Sequence, residues 1–142
     1  MKVLFPLDGS ERAYQSMQAA LELLHGSQVQ ATLLVVMQDF RGAPEDMVKA
    51  FEDDTEDEIF PTEESAIVVL RQATKRMRRK GLEMKLKMAQ GDIVKQVIAE
   101  SKGHDLLVMH SQRSTKRFLL RSSRTKKIVR GSECNVLLMQ AY

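Results

Sequence analysis

The chain has 142 residues, 43% of them hydrophobic, enough for one globular domain with a core of its own. Only 5% are aromatic and Trp is absent, which argues against a base-stacking nucleic-acid platform; the single cysteine, Cys134, excludes an internal disulfide and a cysteine-based zinc cage and fits a reducing compartment. The net charge of +3 hides a segregation, because residues 45–64 hold ten acids and one lysine whereas the rest of the chain carries 21 basic and 9 acidic groups.

"KVLFPL" (2–7) is a continuous apolar run and reads as a buried strand. The opening "MKVLFPLDGS" is no secretory signal, since its apolar run is short and ends at Asp8. No stretch approaches the ~18 apolar residues of a membrane span, so a cytoplasmic protein without membrane contact is expected. "DGS" turns the chain, and Ser10 can cap a helix whose apolar face is Ala13, Met17, Ala20, Leu21 and Leu24, stopped by Gly26. "QVQATLLVVM" (28–37) is a second strand. The acidic block then reads as a solvated insert at about 39–63 within a single domain spanning 1–142. Pro61 and Thr62 open a long helix to about Lys80, with Ala66, Val69, Leu70, Ala73 and Met77 inward and Gly81 at its end. "LEMKLKM" (82–88) alternates with period two, the pattern of a strand with one wet face at a sheet edge. "QGD" introduces a helix from about Asp92 with Ile93, Val94, Val97 and Ile98 inward, closed by Gly103. "DLLVM" (105–109) is a short apolar strand; Ser122 or Ser123 can cap a helix ending at Gly131; and "NVLLM" (135–139) is the last strand.

Strands alternating with helices imply a parallel sheet with helices on both faces. Such sheets bind ligands beyond the carboxyl ends of the strands, where the strand order reverses. Asp8 follows the first strand there, and His110 follows the fourth. The loop that His110 opens, "HSQRSTKRFLLRSSRTKK" (110–127), contains no glycine. A phosphate loop needs glycine so that backbone N–H groups can reach the anion.

Taken together, "VLFPLDGSERA", the "GD" before the third helix, "HDLLVM" and the closing "SECNVLLM" resemble, in order and spacing, the universal stress protein family over nearly the whole chain. The resemblance implies an open, doubly wound five-stranded parallel sheet ordered 3-2-1-4-5, of the adenine nucleotide alpha hydrolase-like kind. It also implies homodimers made by pairing the last strands of two subunits, here Val136, Leu137, Leu138 and Met139. Some members bind ATP or AMP and others, such as the A-type, do not. The nucleotide-binding group carries glycine, two residues, glycine, nine residues, then glycine and Ser or Thr. Here His110, Arg113 and Arg121 stand at the glycine positions, Ser122 follows, and the last spacing is two residues short. In that respect the chain resembles the A-type.

By the same resemblance, Asp8 lies near ribose and base with Pro6 and Leu7 as neighbours, and Val36 is a base-contacting strand end; read from the residues alone, Asp8 is a turn former with Gly9, and Val36 is core. His110 can pair with Asp8, and Ser111 or Ser122 would complete a hydrolase triad, but no G-x-S-x-G elbow supports one. Arg113, Arg121 and Ser122 can hold an anion with side chains, helped by the N–H groups of a helix starting near Ser122. The expected protein is therefore a non-catalytic homodimer acting in stress response. Its nucleotide or anion cleft is degenerate, with no metal and no firm cofactor. Two alternatives stay open: ATP or AMP held by Arg and Ser side chains, and a basic RNA-associated protein, although nucleic acid is the least expected partner.

Overall fold

The computed structural model describes residues 1–37, 63–78, 82–111 and 118–140, with side chains for all of these except 111 and 118–123. Apart from Glu63, the acidic insert expected at 39–63 lies outside the described residues. The elements in order are β1 (Lys2–Leu7), α1 (Glu11–Leu23), β2 (Val29–Met37), α2 (Glu63–Met77), β3 (Leu82–Gln90), α3 (Ile93–Ser101), β4 (Leu106–Ser111), α4 (Phe118–Gly131) and β5 (Asn135–Gln140). The strands form a five-stranded parallel sheet in the expected order, β3-β2-β1-β4-β5.

Strand alternation sorts the apolar residues onto two faces. Phe5, Leu33 and Val35 point to one side and pack with Met17 of α1 and Ala66, Val69 and Ala73 of α2. Leu4, Leu34, Val36 and Leu107 point to the other side and pack with Val97 of α3 and Ile128 of α4. This two-sided burial is why β1 and the second half of β2 are continuously apolar. The five inward residues expected of α2 are all buried.

Local signals set the helix starts. The Ser10 hydroxyl accepts from the Ala13 N–H at 3.2 Å, and Asp8 Oδ1 accepts from the Ser10 N–H at 2.8 Å, which builds the turn into α1. Gly9 occupies φ 85°, a left-handed conformation that a Cβ would strain. Asp92 caps α3 through the Val94 N–H. On the surface, Arg76 of α2 grips both carboxylate oxygens of Glu11 of α1 at 2.7 and 3.0 Å and stacks 4.6 Å from the Tyr14 ring centroid. Its hydrogen bonds hold the Glu11 carboxyl below the usual carboxylate range.

Three elements differ from their sequence reading. The last helix begins at Phe118, not at Ser122 or Ser123. Phe118, Leu119, Leu120 and Arg121 extend it backward, because Leu and Arg favour helix strongly and the serines can be carried inside. α2 stops at Met77, short of the expected Lys80. β3 is the edge strand foreseen, but its apolar face is covered only at the start: Leu82 and Met84 pack on the core, whereas Leu86 is 48% and Met88 42% exposed. The helix that should cover it lies mainly over β2.

Both sheet edges are open among the described residues, and they differ in character. β3 carries the exposed charges Glu83, Lys85 and Lys87. β5 carries Val136, Leu137 and Met139, all half-buried, and the exposed Leu138.

One core position is not satisfied. Ser16 of α1 is 3% exposed and its hydroxyl has no hydrogen-bond partner among the described residues. A buried orphan hydroxyl costs its desolvation without return. Ser16→Ala is therefore expected to raise unfolding stability by about 1 kcal/mol, read from the urea midpoint at an unchanged slope. A loss of similar size would mean that the hydroxyl does have a partner in solution.

Candidate functional site

The strand ladders place the site. β1 pairs with β2 as far as Leu7–Val35, and β4 pairs with β5 as far as Ser111–Gln140. Between the two central strands the ladder is short: only Val3–Leu106 and Leu4–Leu107 are in register. Pro6, which has no N–H to give, lies just beyond it. The centre of the sheet therefore parts on its carboxyl side, at the point where the chain order reverses.

Asp8 and His110 face each other across that parting. Their side chains are 17% and 13% exposed, and His110 Nε2 lies 3.8 Å from Asp8 Oδ2. That distance is too long for a hydrogen bond, and it becomes an ion pair only when the imidazole carries its second proton. Nε2 is buried and has no hydrogen-bond partner among the described residues. Asp8 Oδ1 is committed to the Ser10 N–H. The turn thus fixes the carboxylate, and β4 delivers the ring to it. The imidazole occupies a place where glycine would leave bare backbone.

The other expected site residues are distributed unevenly. Pro6 is half-buried beside the parting, while Leu7 and Val36 are each 5% exposed and belong to the two cores, Leu7 on the α1 side and Val36 among Leu4, Leu34 and Val97. Arg113 lies outside the described residues, as do the side chains of Ser111, Arg121 and Ser122. The expectation of a helix start at Ser122 is corrected by the start at Phe118. Only the first four amides of a helix lack an internal partner. Among the described residues the free donors are then those of 118–120, which leave out both Arg121 and Ser122. Val136, Leu137, Leu138 and Met139 lie on β5, whose outer side has no paired strand among the described residues.

One polar arrangement escaped the sequence reading. His104, just before β4, contacts the Glu100 carbonyl through Nδ1 at 2.7 Å and the Thr32 hydroxyl through Nε2 at 2.9 Å. Thr32 is 6% exposed in an otherwise apolar strand. That lone polar residue inside "ATLLVV" was the available signal. Cys134 is half-buried, and burial, followed by the nearby Asp105 carboxylate, pushes its thiol pKa up, as for a small core residue rather than a reactive thiol. Among the described residues, no cluster of His, Cys, Asp and Glu suits a metal ion, and no helix is long and apolar enough to cross a membrane.

The model of the universal stress protein family matches residues 1–140. The chain belongs to the universal stress protein family. The universal stress protein UspA of Lactobacillus plantarum has a similar fold, with a TM-score of 0.72 at 19% identity over 98% of this chain and 97% of that one. So has a universal stress protein family protein of Arabidopsis thaliana solved with AMP bound, with a TM-score of 0.70 at 18% identity over 100% and 92%. A third universal stress protein, solved in complex with cAMP, gives a TM-score of 0.70 at 18% identity over 99% and 96%. At these identities the likeness carries the fold alone. No curated protein matches the sequence significantly.

Proposed function

We propose that this universal stress protein is a non-catalytic, cytoplasmic homodimer that acts in stress response and binds nucleotides weakly, because side chains fill its nucleotide cleft. The observation that carries this reading is His110 against Asp8, 3.8 Å apart at the parting of β1 and β4. A glycine there would let a ligand approach the backbone; an imidazole crowds that approach and faces the carboxylate that the family resemblance assigns to ribose and base. Arg113 and Arg121 at the other two glycine positions of the family motif point the same way. The dimer reading rests on β5, whose apolar edge would otherwise invite uncontrolled pairing.

Calorimetry with ATP and Mg²⁺ tests the cleft. The expected result is a dissociation constant weaker than about 1 μM, that is, less favourable than about −8 kcal/mol. Tighter binding would overturn the filled cleft. It would favour the second reading, a nucleotide held by side chains and by the free amides at the start of α4. That reading draws on the AMP and cAMP complexes of proteins with the same fold.

A further inference from the structure

At the opposite, amino-terminal end of the sheet lies a groove of about 340 Å³, at the lower end of the ~300–1,000 Å³ usual for small-molecule sites. It opens because α3 is only nine residues long and leaves the starts of β2 and β3 uncovered. The register sets its floor in two rows: Lys2, Gln30 and Glu83 side by side, then Thr32 and Lys85. His104 forms one wall, and Gly103, where a Cβ would meet nothing within 4 Å, leaves the rim open.

The charges in this groove are not spent on one another. Lys87, next along β3, is paired with Glu100 at 2.9 Å. Lys2, Lys85 and Glu83 have no ion-pair partner among the described residues, although all three line or border the groove. We propose that the groove binds a small zwitterion of the amino-acid type, its carboxylate between Lys2 and Lys85 and its ammonium group at Glu83 and Thr32.

The histidine fixes the polarity of Thr32. A carbonyl only accepts, so His104 Nδ1 donates to the Glu100 oxygen; in the neutral ring, Nε2 then accepts from the Thr32 hydroxyl. The hydroxyl hydrogen is thereby used, and Thr32 Oγ1 offers lone pairs to the groove. That suits a donor such as an ammonium group. The C-terminal end of α3 adds its partial negative charge at the same wall. Among the described residues, neither an arginine fork nor a helix N-terminus lines the groove, so a phosphate lacks the partners it prefers there. Lysine point charges at two diagonal corners of the floor, Lys2 and Lys85, serve a single carboxylate between them.

The experiment is an NMR titration of the full ¹⁵N-labelled chain with L-serine, acetate and inorganic phosphate, following the amides of Gln30, Ala31, Thr32 and Gly103. L-serine should give saturable shifts with a dissociation constant on the order of 1 mM, and acetate and phosphate should bind at least about tenfold more weakly. Lys85→Ala and Glu83→Gln, both exposed, should each weaken L-serine binding by about tenfold or more while the remaining spectrum stays the same. The proposal is overturned if L-serine produces no saturable shift, if acetate binds equally well, or if both variants bind like the parent. None of these outcomes bears on the cleft, which lies at the other end of the sheet and is read by nucleotide calorimetry.

Discussion

Arginine in place of Leu138 is expected to turn the proposed dimer into a monomer. Leu138 is 48% exposed in the single chain, so a guanidinium there costs the monomer little. Against a partner's β5 the same group would be buried without a counter-charge, which is heavily penalised. The dimer dissociation constant should rise by at least about 100-fold, or roughly 2.8 kcal/mol, measured by light scattering or sedimentation across a dilution series. Leu137→Arg is a poorer probe, because Leu137 also packs against the α1-side core and its replacement strains the fold itself. A Leu138→Arg protein that remains a dimer at the parent's concentrations would remove β5 as the interface.

Glycine in place of His110 should strengthen AMP binding. The change takes the ring away from Asp8 and leaves the carboxylate, which stays fixed through Ser10. The gain should be about tenfold, or 1.4 kcal/mol, and not larger, since Arg113 and Arg121 remain at the other glycine positions of the motif. Some stability is lost in exchange, about 0.5–1 kcal/mol, because glycine inside a strand gives up more conformational freedom on folding. Calorimetry of parent and variant side by side measures the first effect, and urea unfolding the second. Equal or weaker AMP binding in the variant would mean that the imidazole does not block the cleft.

Most of the architecture was legible because burial leaves a period in the sequence. The run "KVLFPL" read as a buried strand, and Ser10 and Asp92 announced their helices by chemistry that acts within a few residues. The readings that failed depended on something other than local pattern. Ser122 looked like a cap because serine favours that position, yet Phe118, Leu119 and Leu120 prolong the helix backward past it. Leu86 and Met88 obeyed the alternation of an inward face, but alternation cannot say whether a helix lies over that part of the strand. The contact of His110 with Asp8 was foreseeable, since both end central strands. The contact of His104 with Thr32 joins residues 72 positions apart through the packing of α3 on the sheet, and no spacing rule encodes it.

The two rims of the sheet are chemically unlike, and that difference bears on how large an assembly can grow. A join between two β5 strands is isologous and uses up the apolar rim of each chain. The rims left at the outer ends are then both β3, studded with Glu83, Lys85 and Lys87. Another strand approaching there would have to desolvate these charges, and identical rims would set lysine near lysine. In the proposed dimer, extension beyond two chains would thus be disfavoured at either end, and a sheet open to one partner would resist becoming a fibre.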